Sequence, residues 1–400
     1  MSWETGIDIH NISTIICGSK VFFGAGAIEK MDFIAEQMAA RGIRSVIAIT
    51  GGASYEKSGG WAHVTRALEK HSIGCVLYNQ VSANPKTHQV DEAVELARKS
   101  GCGAVIAIGG GSPIDAAKSV AVLLKQPGVT CRELFEQKLP ITSAVPIIAI
   151  NLTHGTGSEV NRFAVLGIPE KQYKMAIASD HIYPWYSIDD PALMTSLSDM
   201  HTRYSSIDAL THVIESCSST LNNPLTIFQG KELIALIVKY LPLAVSDPND
   251  LTARYFLAYA AMAAGIGFDN GMLHFSHALD HPIVALNTEL SHGLILSVLL
   301  PRVLEEVYPA RSLILAEVLR PVVPGLTGEP GEAKKAADGI RAWLKTLGVT
   351  ERMGDIGFTK SDVPRLTDLV FETPGLKMLL DSAPVPYDRA VIEKLYLESF

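Results

Sequence analysis

The 400-residue chain has only five cysteines, Cys17, Cys75, Cys102, Cys131 and Cys217, and no two of them form a CxxC pair. An odd number of scattered thiols excludes a disulfide scaffold and a cysteine-built zinc cluster, and it suits a reducing cytoplasm. An excess of basic charge is lacking too: 34 Lys and Arg are interspersed with 42 Asp and Glu, for a net charge of -8. No stripe is left to neutralise a phosphate backbone, so nucleic acid is not expected as a partner. The longest apolar runs, at 257–266 and 294–300, fall well short of the about 20 residues that a membrane span needs. The opening MSWETGIDIH carries charges where a secretory signal has a basic flank and an apolar run, so export is not expected either. Repeats and low-complexity tracts are absent. The expectation is a soluble, cytoplasmic protein without membrane association.

What is present is ample core, with 48% hydrophobic residues, and a clear change of pattern along the chain. Up to about residue 185, short β-rich apolar runs at 45–50, 75–78, 104–108 and 145–150 alternate with helical patterns at 26–41, 60–71, 87–100 and 113–125. Continuous apolar strands of this length belong in a sheet buried on both faces, and the alternation predicts an α/β domain with a doubly wound parallel sheet over 1–185. The boundary falls near Tyr183-Pro184-Trp185, and beyond about residue 190 the β runs vanish. Segments 205–218, 227–241, 251–266, 293–308 and 332–347 read at helical period, which predicts an all-helical domain over 186–400.

The strand at 104–108 leads into Gly109-Gly110-Gly111-Ser112-Pro113-Ile114-Asp115-Ala116-Ala117-Lys118. Glycines let backbone N–H groups approach a phosphate, and the helix that follows presents its positive end. The spacing departs from GxGxxG, and three glycines alone also fit a tight turn that binds nothing. A second loop, Thr153-His154-Gly155-Thr156-Gly157-Ser158-Glu159, follows the strand at 145–150. Parallel sheets bind ligands at this carboxyl edge, and two such loops together favour a dinucleotide.

Asp208 and His212 lie four apart in SSIDALTHVIES, so a helix sets both side chains on one face, as metal chelation requires. Of the twelve histidines, His274, His277, His281 and His292 crowd into nineteen residues. One carboxylate with imidazoles drawn from His212 and this group makes a mixed N/O site suited to Fe(II), with Zn(II) as the alternative.

GGGSPIDAAK, THGTGSEV, SIDALTHVIES and HALDH followed by SHG and LLP, in this order and spacing, resemble the iron-containing alcohol dehydrogenases over nearly the whole chain. The resemblance implies that Asp208, His212, His277 and His292 ligate the metal and that His281 stands beside the substrate as the catalytic side chain. It further implies that Gly109, Gly110, Gly111, Ser112 and Asp115 hold the pyrophosphate, that Thr153 and Thr156 face the nicotinamide side, and that Lys174 lies close to the cofactor. His154, where relatives commonly have alanine, is an additional imidazole without an assigned role. The activity implied is hydride transfer between a nicotinamide cofactor and a small alcohol or aldehyde, with the metal as Lewis acid. A homodimer or larger assembly through the N-terminal strand region, Cys17 to Phe23, is implied as well.

Two other readings remain open at this level. One is a metal- and NAD-dependent cyclase resembling dehydroquinate synthase, which does not consume the cofactor. The other is a non-catalytic nucleotide-binding protein. Cofactor choice is read from the end of the strand at 45–50, where an acid commonly accepts from the ribose 2′-hydroxyl of NAD. Here Gly51 stands in that place, with Gly52, Ser54 and Lys57 as donors for a 2′-phosphate. The expectation is NADP(H) in preference to NAD(H), with Gly51→Asp turning the enzyme toward NADH.

Overall fold

The computed structural model describes residues 14–400, so the opening decapeptide lies outside the described residues. Two compact units are present, Cys17–Asp199 with Asp247–Met262, and Met200–Ser246 with Ala263–Phe400.

The first unit is built on eight strands: β1 (Lys20–Phe23), β2 (Ser45–Ile49), β3 (Gly74–Tyr78), β4 (Ala104–Gly109), β5 (Ile147–Asn151), β6 (Phe163–Ile168), β7 (Tyr173–Ala178) and β8 (Tyr186–Asp189). Six of them form one sheet in the order β1-β8-β5-β4-β2-β3, and every pairing within it is parallel. The helices α1 (Met31–Ala40), α2 (Ser54–Lys57), α3 (Gly60–Lys70), α4 (Thr87–Lys99), α5 (Gly111–Leu123) and α6 (Cys131–Glu136) alternate with the strands. Alternate residues of β4 supply opposite faces: Val105 and Ala107 belong to one apolar cluster, and Ala104, Ile106 and Ile108 to the other. That two-sided burial is what the unbroken apolar runs required.

Two features of this unit were not anticipated. Residues 163–178 form an antiparallel hairpin, β6 with β7. Beyond Trp185 the sheet takes one more strand, β8, which sits between β1 and β5. Its sequence, YSID, carries no apolar run; the Ser187 hydroxyl is satisfied by the Glu159 carbonyl at 2.6 Å.

The rest of the chain is helical: α7 (Asp199–Ser218), α8 (Pro224–Ser246), α9 (Leu251–Gly271), α10 (Phe275–Leu286), α11 (His292–Val307), α12 (Ser312–Leu319), α13 (Ala333–Thr346), α14 (Val363–Glu372), α15 (Leu376–Asp381) and α16 (Arg389–Leu397). Among the described helices α9 alone has the length and apolarity to cross a membrane, with a mean hydropathy of 1.2, and 61% of that window is buried within the fold. It also runs on through Phe268-Asp269-Asn270, beyond the 251–266 expected as helical. Phe268 and Asp269 are buried, and the helix ends only at Gly271, before Met272 with a φ of 59°.

In the second unit α10 packs against α11, α14 and α15. The last helix reaches back to α10, where the buried Tyr396 hydroxyl donates to the Leu279 carbonyl at 2.8 Å.

Candidate metal and cofactor sites

Helix α7 is buried on all sides over its second half, from Ser206 to Ser218. Asp208, His212 and Glu215, spaced at helical repeat, are therefore held in a dry interior. Helix α10 brings His277, and α11 brings His292 as its first residue. Gly293 makes that entry possible, because a Cβ there would lie 2.0 Å from the Tyr204 carbonyl oxygen of α7.

One atom is the focus of the arrangement. Asp208 Oδ1 lies 3.2 Å from His212 Nε2, 3.5 Å from His292 Nε2 and 3.7 Å from His277 Nε2. Asp208, His277 and His292 offer donor atoms that all fall within 4.8 Å of one another. Both Asp208 Oδ1 and His277 Nε2 are buried with no hydrogen-bond partner among the described residues. Buried polar atoms that converge without a hydrogen bond are costly unless positive charge sits among them, so the donor set fits a transition metal.

Charge follows from these contacts. Burial works against a charged ring at His277, yet Asp208 and Glu215 outweigh it and hold His277 at about 9. At His212 burial prevails and pushes the ring down to about 4. Burial would raise Asp208, but His212, His292 and His277 hold its carboxyl at about 2. His281 is buried one turn beyond His277 on α10.

Three residues near the site had no assigned role in the sequence. Glu215 accepts from His277 Nδ1 at 2.7 Å. Asp280 Oδ2 lies 2.8 Å from His292 Nδ1. His274 caps α10: its Nδ1 accepts from Phe275 N at 2.8 Å, which leaves Nε2, 2.9 Å from Ser218 Oγ, as the protonated nitrogen. Glu215 follows His212 at a helical spacing of three, which is the one sequence signal that marks it.

In the first unit the two glycine-bearing loops leave adjacent strands, with Gly109 of β4 paired to Asn151 of β5. The glycines are dictated by this contact. A Cβ at Gly110 would lie 2.8 Å from Thr153 Cγ2, and one at Gly111 would lie 2.7 Å from Thr156 Cγ2. Ser112 follows in the first turn of α5. Asp115 has both oxygens engaged by protein: Ser158 Oγ donates to one at 2.5 Å and Val165 N to the other at 3.0 Å. Lys118 Nζ donates to the same Ser158 hydroxyl at 3.0 Å and to the Phe163 carbonyl at 2.7 Å. The motif's acid and lysine thus lock the two loops together. Burial raises the Asp115 carboxyl, and the charges of Lys118 and of Lys174, buried on β7, oppose that rise in part.

His154 also finds a role here. Its Nε2 lies 2.9 Å from Arg254 Nη1, and burial, followed by the Arg254 charge, pushes its pKa down to about 3. A guanidinium can only donate, so the neutral imidazole is its acceptor.

The loop after β2 corrects one expectation. A Cβ at Gly51 would lie 2.1 Å from the Val81 carbonyl oxygen, because Gly51 bridges to Gln80 at the strand end. Aspartate cannot enter there without a shift of the backbone, so Gly51→Asp does not test cofactor choice. Ser54 and Lys57, on the short helix that follows, are exposed.

Residues 18–191 match the model of the iron-containing alcohol dehydrogenases, and residues 202–400 match the C-terminal model of the Fe-containing alcohol dehydrogenase family. A long-chain primary alcohol dehydrogenase of Thermoanaerobacter ethanolicus is 50% identical over 398 residues, covering 100% of both chains. A 1,3-propanediol dehydrogenase of Klebsiella pneumoniae is 30% identical, over 88% of this chain and 90% of its own length. Among solved structures, an NADH-dependent butanol dehydrogenase A from Thermotoga maritima superposes with a TM-score of 0.88 at 27% identity, covering 97% of this chain and 98% of its own.

With His277 as a ligand, metal uptake would displace the proton that its ring holds up to about pH 9. Apparent affinity for Zn(II) should therefore weaken roughly tenfold per pH unit lost below that value, with one proton released per ion. The metal-free protein should show the opposite trend. A histidine raised from its ordinary 6.5 to about 9 adds stability that is complete below pH 6.5 and is lost as pH rises through 9, on the order of 3 kcal/mol. Chelator-competition titrations and thermal melts across pH 6 to 9 measure both trends; a pH-independent zinc affinity is the result that contradicts this assignment.

Proposed function

Because the chain belongs to the iron-containing alcohol dehydrogenase family, we propose that it transfers a hydride between NADP(H) and a primary alcohol or its aldehyde, at a metal held by Asp208, His212, His277 and His292. The observation that carries this reading is the convergence of three imidazole nitrogens on one buried carboxylate oxygen with no hydrogen-bond partner. The ligand set is rich in imidazole, which suits Fe(II) first and Zn(II) as the alternative. The primary-alcohol class is supported by the name of the Thermoanaerobacter ethanolicus relative.

A bound metal supplies Lewis acidity, which lowers the pKa of an alcohol hydroxyl and polarises an aldehyde carbonyl. Asp208 contributes the one formal negative charge among the four ligands, and the buried walls keep water from competing. His281 is the proton acceptor in this reading, an imidazole of the acid–base kind that works near neutral pH. On the cofactor side Gly109, Gly110, Gly111 and Ser112 offer the pyrophosphate the amino-terminal turn of α5. Thr153 and Thr156 form the neighbouring wall, with Lys174 close by. Asp115 acts by bracing that wall. The scattered free thiols suit a cytoplasmic protein.

Chelation should abolish turnover, and Fe(II) under reducing conditions should restore it at least as well as Zn(II). His277→Ala should likewise lose metal and activity, whereas His281→Ala should keep its metal and slow catalysis or shift its pH profile. Full activity in the chelated enzyme sinks the Lewis-acid reading, and metal loss in His281→Ala reverses the two histidine assignments.

NADP(H) preference now rests on Ser54 and Lys57, since Gly51 has its own steric reason. The enzyme should be more efficient with NADPH than with NADH in kcat/KM. Ser54→Asp should lower the NADPH value by roughly tenfold, the effect of about 1.4 kcal/mol of repulsion, and leave NADH little changed. Higher efficiency of the unmodified enzyme with NADH rules this preference out.

Strand β1 lies at one end of the sheet order, and unpaired edge groups are a template for a second copy. A homodimer or larger assembly through this edge is the corresponding prediction. Light scattering at working concentration checks it, and a monomer removes it.

A further inference from the structure

Glu215 is fully buried, and the groups it accepts from are three N–H donors. Ser276 N donates to Oε1 at 2.5 Å, while His274 N at 3.1 Å and His277 Nδ1 at 2.7 Å donate to Oε2. Two of these donors are backbone groups at the start of α10, which the helix itself cannot satisfy. The third belongs to a residue whose other ring nitrogen faces Asp208. A single carboxylate on α7 therefore ties down the amino-terminal turn of α10 and the ring of His277 together.

We infer that Glu215 is a positioning residue for the metal: it holds His277 with its Nδ1 proton outward and its Nε2 lone pair turned toward Asp208. This rests on the reading of Asp208, His212, His277 and His292 as the ligand set. The chemistry is restrictive because all three partners donate. An amide in place of the carboxylate must turn its NH2 toward the Oε1 contacts or toward the Oε2 contacts. Facing Ser276 N, it opposes donor to donor there, and only His274 Nδ1, 3.2 Å from Oε1, is placed to accept from it. Facing His277, it forms a bond only if the ring moves its proton to Nε2, where the proton occupies the lone pair that a metal needs. Glu215→Gln, nearly identical in shape, thus separates filling the space from setting the tautomer. Partners of this type behind metal-bound histidines change affinity by about 10- to 100-fold when altered.

The test is chelator competition for Zn(II) on the full-length wild-type and Glu215→Gln proteins, with thermal melts of both in the metal-free state and the visible spectrum of each loaded with Co(II). The expected result is a Zn(II) dissociation constant raised about 10- to 100-fold with an altered Co(II) spectrum, beyond any change in the metal-free melting temperature. A folded Glu215→Gln protein that binds Zn(II) within threefold of wild type, with an unchanged Co(II) spectrum, overturns the proposal. Failure of the wild type itself to take up Zn(II) or Co(II) overturns the metal reading beneath it, and the proposal with it. If Glu215→Gln does not fold, histidine nitrogen-15 spectra of the zinc-loaded wild type decide. A His277 Nδ1 proton protected from solvent exchange supports the assignment, and one that exchanges freely refutes it.

Discussion

The helical unit is organised around Asp208 Oδ1, a buried carboxylate oxygen approached by three imidazole nitrogens without a hydrogen bond of good geometry. Such a meeting of acceptors is unfavourable in a dry interior, and it persists because the surrounding helices over-determine it. Helix α7 has no solvent face where Asp208 and His212 lie. Gly293 lets the start of α11 meet the α7 backbone. Tyr396 holds α10 from the other end of the sequence. The cost is carried by the packing of the whole unit, and it becomes a gain in binding when a cation occupies the point of convergence.

The sheet unit solves a different problem by the same means. Two loops must approach closely at the carboxyl edge. Glycine at 110 and 111 makes room for Thr153 and Thr156, and the polar chain Asp115, Ser158, Lys118 fixes their spacing. Asp115 and Lys118, drawn inside, stay tolerable because each is hydrogen-bonded. Arg254 and His154 form a second such lock, in which the imidazole must stay neutral to accept.

The parallel sheet could be read from the sequence because strands buried on both faces leave apolar runs such as AVIAI, and the helical half because its period is sustained. Strand β8 was hidden since YSID hydrogen-bonds its serine internally and carries no apolar run. Crowding of histidines pointed to the cluster around Asp208, but Glu215 reads in sequence as one more acid on a helix. Only the fold brings His274, Ser276 and His277 to it from some sixty residues away. Gly51 misled for a related reason: its absent side chain resembled a specificity choice, whereas the Val81 carbonyl that forbids one comes from the neighbouring strand's end. His154 likewise has its partner a hundred residues on. Local pattern carries periodicity and motif; it does not carry which distant donor a buried acceptor will meet.

The buried histidines make the underlying rule visible. Burial alone drives an imidazole toward its neutral form, and it does so at His154, His212 and His274. His154 faces a guanidinium, His212 shares a single carboxylate with two other rings, and His274 has its Nδ1 committed to a backbone N–H. His277 lies between two carboxylates, Asp208 on one nitrogen and Glu215 on the other, and is raised. A proton there serves the same electrostatic need as a metal ion, since each places positive charge between the same acids. A divalent ion held by His277 Nε2 would leave the Glu215 contact to Nδ1 in place. For this reason the carboxylate behind the ring, rather than the one in front of it, decides which nitrogen His277 presents.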